Sequence, residues 1–134
     1  MEPLKVIAKY RDGRMVRGTT NNFGPGCASF HVIPLDGRPS RPVEVFVPEL
    51  KAMFVVRDLH GNPRRPKQSR FLPNSPAPYG KKLEVTFVDG EVIEGVSLNY
   101  DPEAQGFFLH PADTNGNNLR IYVVNDAVKG VRFL

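Results

Sequence analysis

The sequence predicts an all-β protein built from two tandem five-stranded small barrels. Three observations carry that prediction. Thirteen prolines and twelve glycines among 134 residues favour strands and turns over helices. Apolar residues alternate with polar ones over short runs, the period of a strand with one face buried. The chain also repeats itself, and a repeat must be found before the fold is read.

Shifting the chain by 77 residues brings Tyr10-Arg11-Asp12-Gly13 onto Phe87-Val88-Asp89-Gly90. The same shift superposes Gly18 on Gly95, Asn22 on Asn99, Pro25 on Pro102, Phe30 on Phe107, Pro34 on Pro111 and Asp36 on Asp113. That is eight identities over the 27 positions from Tyr10 to Asp36. One inserted residue moves the shift to 78, and Val43, Val45, Leu50, Lys51, Met53 and Val55 then meet Ile121, Val123, Val128, Lys129, Val131 and Phe133. Residues 1–59 therefore form a first repeat, 60–80 a linker, and 81–134 a second repeat.

Each repeat reads as five strands. Leu4 to Tyr10 alternate, and Asp12-Gly13 follows as a two-residue hairpin signal, matched by Asp89-Gly90, where glycine adopts positive φ without steric cost. Second strands run from Met15 to Thr20 and from Val92 to Leu98. Gly18 and Gly95 interrupt them at the same place, as a bulge or sharp bend requires. Third strands cover Ser29 to Ile33 and Gly106 to His110, stopped by Pro34 and Pro111. Fourth strands carry Val43, Val45 and Val47, or Leu119, Ile121 and Val123. Short turns at Pro48-Glu49-Leu50 and Asn125-Asp126-Ala127 lead into final strands at Met53 to Val56 and Val131 to Leu134. Closure into a barrel removes exposed edges. Each half should form its own antiparallel barrel, the two superposing with Asp12-Gly13 on Asp89-Gly90, and one continuous sheet, or helices of three or more turns, would sink the duplication argument in this form. A lone domain of this size buries only about 60% of its unfolded surface, so the halves should share an interface.

The segment VTFVDGEVIEGVSLNYDPEAQGFFLHPAD and its echo AKYRDGRMVRGTTNNFGPGCASFHVIPLD resemble the first half of an SH3-like barrel of the Sm-like kind. The second repeat is also similar to an uncharacterised bacterial domain family found alone, in tandem, or attached to signalling proteins. A further resemblance is to PilZ domains, which bind cyclic di-GMP. Arg64-Arg65-Pro66-Lys67-Gln68-Ser69-Arg70 stands upstream of a barrel, and Asp101 and Gly106 have the spacing of the PilZ strand-end motif, with Glu103 where that motif has serine.

Charge is uneven along the chain. Residues 1–60 carry a net +3, residues 61–80 a net +4 with no acid, and residues 81–134 a net −3. The linker GNPRRPKQSRFLPNSPAPYG holds five prolines and should be extended. Arg64, Arg65, Lys67 and Arg70 could grip phosphates while Phe71 stacks on a base, which would suit single-stranded RNA. The plainer alternative is a spacer, or a segment that docks on the acidic second repeat.

Catalytic chemistry is not legible. His31, His60 and His110 lie in separate segments without metal-ligand spacing, and they read as strand or loop residues satisfied locally. Cys27, the one cysteine, has no evident base partner and precludes an intramolecular disulfide framework. Asp113-Thr114-Asn115-Gly116-Asn117-Asn118 is rich in oxygen ligands but lacks the acidic alternation of a calcium loop. No nucleophile–base pair or phosphate-cradling glycine motif is present, so neither metal nor cofactor is expected. No apolar run approaches the roughly 18 residues of a membrane helix, and MEPLKVIAKYRDG lacks a signal-peptide layout, pointing to the cytoplasm. The expectation is a non-enzymatic binding or adaptor module for a protein partner, with a homo-oligomer left open. Single-stranded RNA binding and cyclic di-GMP sensing stand as the alternatives.

Overall fold

A computed structural model describes residues 3–35, 41–60, 70–71 and 80–134. Among them are ten strands and no α-helix. The first five are β1 (Leu4–Tyr10), β2 (Met15–Thr20), β3 (Ser29–Pro34), β4 (Val43–Phe46) and β5 (Leu50–Val56). The second five are β6 (Lys81–Phe87), β7 (Val92–Ser97), β8 (Gly106–Pro111), β9 (Asn118–Val124) and β10 (Val128–Phe133). One turn of 3-10 helix joins β4 to β5 at Val47–Glu49, and another joins β9 to β10 at Asn125–Ala127.

Strand order is β10-β6-β7-β8-β9-β5-β1-β2-β3-β4, so β6 to β10 repeat the arrangement of β1 to β5. Backbone hydrogen bonds recur at the shifts read from the sequence. Arg11 N donates to Glu49 O as Val88 N does to Ala127 O, and Leu35 N to Arg17 O as Ala112 N does to Glu94 O. Val47 N donates to Ala28 O as Asn125 N does to Gln105 O.

The expected pair of separate barrels needs correction. The ten strands form one continuous antiparallel sheet that is not closed, because β5 pairs edge to edge with β9 of the other half. The register runs Ala52 opposite Val123, Met53 opposite Tyr122 and Phe54 opposite Ile121. Two strand edges that would each face water satisfy one another's backbone groups instead.

The same joint explains why every residue of β5 is buried. Ala52, Phe54 and Val56 enter the core of the second half, beside Leu83, Val85, Phe87, Phe107 and Ile121. Leu50, Met53 and Val55 enter the core of the first half, beside Val6, Phe30, Val32 and Val45. Tyr122 and Val124 of β9 return the exchange by packing into the first core. A strand with cores on both faces reads as a continuous apolar run, and Ala52 to Val56 is one.

The hairpin turns differ from the two-residue form. Tyr10 N donates to Arg14 O and Gly13 N to Tyr10 O, so three residues form the loop, with Gly13 at φ +96°. Phe87, Gly90 and Glu91 repeat the pattern, with Gly90 at φ +94°. This is a tight turn followed by a one-residue glycine bulge. Gly18 and Gly95 have a role other than positive φ. A Cβ on Gly18 would lie 2.0 Å from Ile33 O, and one on Gly95 would lie 2.4 Å from His110 O. The sheet folds over so tightly there that only hydrogen fits. Pro34 and Pro111 close their strands from inside, as last residues.

Candidate functional site

Of the five linker residues expected to hold a ligand, Arg64, Arg65 and Lys67 lie outside the described residues. Arg70 and Phe71 are described, and both are engaged by the acidic second half. In the β6–β7 ladder Glu84 stands directly opposite Glu94. Like charges so placed repel unless a cation lies between them. Arg70 supplies it, its Nη1 donating to Glu94 Oε2 at 3.0 Å and Glu84 Oε2 at 3.2 Å. Arg132 of β10 holds Glu84 from the other side, through Nε at 3.2 Å and Nη2 at 2.8 Å. The Arg132 guanidinium, aided by Arg70, keeps the Glu84 carboxyl below the usual glutamate range. Phe71 N donates to Glu94 Oε1 at 2.8 Å, and Lys82 Nζ lies 4.7 Å from the centre of the Phe71 ring. Here the linker docks on the acidic half, its cation and aromatic ring already in contact with protein.

A second charged cluster sits at the joint between the halves and was not legible in the sequence. In β5, Tyr10 pairs with Leu50 and Lys9 with Ala52, leaving Lys51 as the extra residue of a bulge. A bulge re-aims its side chain. Lys51 turns to the second half, where Nζ meets Asp89 Oδ2 at 2.7 Å and Glu91 Oε1 at 2.5 Å, above the Phe87 ring at 4.8 Å. Burial pulls the Lys51 ammonium down, but the hydrogen bonds to the two carboxylates outweigh it and its pKa rises. The Lys51 bond, with the Glu91 backbone N–H, holds Asp89 below its ordinary value.

The expected pH dependence follows from those directions. Asp89, with its folded pKa depressed, contributes stability above about pH 3.8 that disappears as pH falls through the lower folded value. Lys51, with its folded pKa raised, contributes below about pH 10.5 and loses that contribution as pH rises further. Lys51→Met should cost about 1–2 kcal/mol near neutral pH, less than a deeply buried pair because Asp89 is half exposed. Urea unfolding across pH should also show shallower acid and alkaline limbs in the variant. Limbs unchanged from wild type would remove Lys51 from this role.

Two further contacts tie the halves. Arg57 Nε donates to Gly116 O at 3.1 Å and Nη2 to Thr114 O at 3.2 Å, while Asn117 exchanges hydrogen bonds with the Asp58 backbone. The oxygen-rich loop at 113–118 thus spends carbonyls on Arg57, and Asp113 Oδ1 accepts from Asn115 N. Phe23 lies 5.1 Å from Phe30, 5.1 Å from Tyr122 and 6.2 Å from Phe108, forming an edge-to-face cluster across the joint.

The remaining candidates serve the fold. His31 is exposed and bonded to Asn22 through its backbone N–H and Nδ1. His60 N donates to Asp58 Oδ1, and His110 is exposed. Cys27 is a half-buried thiol packed against the first core. Asp101 Oδ1 accepts from Glu103 N in the β7–β8 turn, and Asn125 Nδ2 donates to Asp101 O. Gly106 lets β8 approach β9 closely, since a Cβ there would lie 2.3 Å from Val123 O. Asp101 and Gly106 therefore have structural work, and Arg70 is bound elsewhere, on β6 and β7. Among the described residues no three or more His, Cys, Asp or Glu side chains converge as a metal site. Among the described residues no helix is long and apolar enough to cross a membrane.

The model of DUF6982, a family of unknown function, matches residues 2–134. The chain belongs to that family. No curated protein and no solved structure matches it. The DUF6982 match spans both halves and the linker together, so the joined pair is the unit that the family model describes.

Proposed function

We propose that this DUF6982 chain is a non-enzymatic binding module, two SH3-like halves of one open sheet joined through β5 and β9, that holds a protein partner by strand addition. One observation carries the reading: the joined ten-stranded sheet ends in two strands, β4 and β10, each paired on one side only among the described residues. Unpaired edges offer rows of N–H and C=O groups that an extended segment can complete. A place in bacterial regulation or signalling follows the sequence resemblance, and one cysteine in 134 residues suits a reducing cytoplasm. Neither alternative gains from the linker as described. Arg70 is held by two carboxylates, and phosphate would have to displace both.

The test uses a strand the fold already recognises. A labelled peptide with the β9 sequence, Asn118 to Val124, flanked by lysines for solubility, is titrated in excess into dilute protein. It should bind the β10 edge as β9 binds β5, with saturation below about 1 mM, and Phe133→Glu should abolish binding. A scrambled peptide should not bind. No saturation, or equal binding of the scrambled peptide, would overturn strand addition. Tight retention of single-stranded RNA, lost on neutralising Arg64, Arg65, Lys67 and Arg70, would favour the RNA alternative instead.

A further inference from the structure

The joint between the halves has an unused counterpart at each end of the sheet. β4 occupies in the first half the position that β9 occupies in the second, and β10 corresponds in the same way to β5. The inner members of these pairs, β5 and β9, are joined to each other, while the outer members have one open side among the described residues. By the shift of 78 residues, Phe133 corresponds to Val55, Leu134 to Val56 and Phe46 to Val124. Val55, Val56 and Val124 are 4%, 3% and 1% exposed, whereas Phe133, Leu134 and Phe46 are 57%, 51% and 46% exposed. Two of these counterparts, Val56 and Val124, are covered by the core of the opposite half, and the third, Val55, by its own core with Tyr122 and Val124 added across the joint. Hydrophobic groups exposed together along an unpaired edge mark an interaction surface.

We propose that copies of this chain assemble head to tail, β10 of one copy pairing antiparallel with β4 of the next in the register of the β5–β9 joint. This rests on the strand-addition reading and names its partner as a second copy. Carrying the internal register over places Val131 opposite Glu44 and Arg132 opposite Val43. The two ends keep part of the charge pattern of the joint. Lys129, counterpart of Lys51, is the exposed extra residue of a matching bulge in β10. At the other end stand Asp12, counterpart of Asp89, and Glu49, both half exposed. Arg14 stands where the joint has Glu91 and is bound to Asp12, and Arg11, where the joint has Val88, lies beside Glu49 with Nη2 on Pro48 O, so the receiving end keeps two carboxylates but no net negative charge. The contact between copies is therefore weaker than the joint within one. Arg132 and Glu44, in place of Phe54 and Tyr122, weaken it further, as charges on edge strands do. Because the two surfaces differ, the interface is heterologous, and repeating it closes a ring or extends a filament.

The experiment is sedimentation equilibrium of the full chain from about 1 μM to about 1 mM, where modest interfaces register. Wild type should exceed the mass of one chain, increasingly so with concentration. Phe133→Glu blocks β10 and leaves β4; Phe46→Glu blocks β4 and leaves β10. Each variant alone should be monomeric, and their equimolar mixture should form a 1:1 dimer at least tenfold tighter than either with itself. Circular dichroism and thermal unfolding establish that both variants fold, and Leu134→Glu replaces Phe133→Glu if that one does not. Either a ring or a filament supports the proposal. Monomeric wild type, a monomeric mixture, or assembly surviving either substitution overturns it, as does self-dimerisation of one variant, which would mean like-with-like pairing. If wild type is monomeric while the β9 peptide still binds, the strand-addition reading stands and only the identity of the partner falls.

Discussion

Phe54→Ala is expected to cost about 3–5 kcal/mol and to loosen the half of the molecule to which Phe54 does not belong. Phe54 lies on β5 of the first half, yet its ring packs with Leu83, Phe87, Phe107 and Ile121 of the second and is 5% exposed. Truncation leaves a ring-sized void between strands that their own hydrogen bonds hold in place, so collapse is only partial. In a chain of this length the loss amounts to roughly 10–20 °C in Tm. Hydrogen exchange locates the effect: amides of β6, β8 and β9 should lose protection along with those of β5. Unfolding should stay a single transition, because the β5–β9 pairing and the exchanged side chains make neither core complete alone. Loss of protection confined to β1–β5, or two separate transitions, would show that the halves are energetically independent.

The second large effect is expected from the smallest side chain. Gly18→Ala would set a methyl group 2.0 Å from Ile33 O and 2.9 Å from a Val32 methyl. A backbone carbonyl cannot rotate away as a flexible side chain can, so β2 and β3 must separate where their ladder begins, at Gly18 opposite Pro34. The expected cost is about 3 kcal/mol, at the upper end for an overpacked core. Gly130→Ala is the matched control. It lies on a strand with no atom within 4 Å of the added Cβ, and Ala52 is its counterpart in the first half. Its stability should stay within about 0.5 kcal/mol of wild type. Urea midpoints of the two variants make the comparison, and equal midpoints would refute the steric account of Gly18.

Local pattern carried most of the strand assignment. The alternation in Leu4–Tyr10 and the Asp-Gly turns act within a few residues, so neighbours in sequence are enough to read them. The glycines at 18 and 95 were legible as special positions, but their reason was not. A bend and a close approach leave the same signature in sequence, and only the facing carbonyl distinguishes them. The docking of Arg70 on Glu84 and Glu94 was foreshadowed by the net charges of linker and second repeat. Charge totals cannot say, however, that two glutamates stand opposite one another in a ladder.

Lys51 marks the limit most sharply. It aligns with Lys129, yet one is buried among carboxylates of the other half and its counterpart is exposed. Nothing local differs enough to announce this, because the difference lies in what is paired beyond the strand. The apolar run Ala52–Val56 was the available signal, since a strand without polar alternation needs a core on each side. What the sequence by itself determined was the strands, their turns and the repeat of their order, all set by side-chain period and local backbone freedom. Only the tertiary structure decided that the halves join through β5 and β9 into one open sheet. Edge pairing is made by backbone groups that every residue shares, so the choice of partner strand rests on packing between residues far apart in the chain.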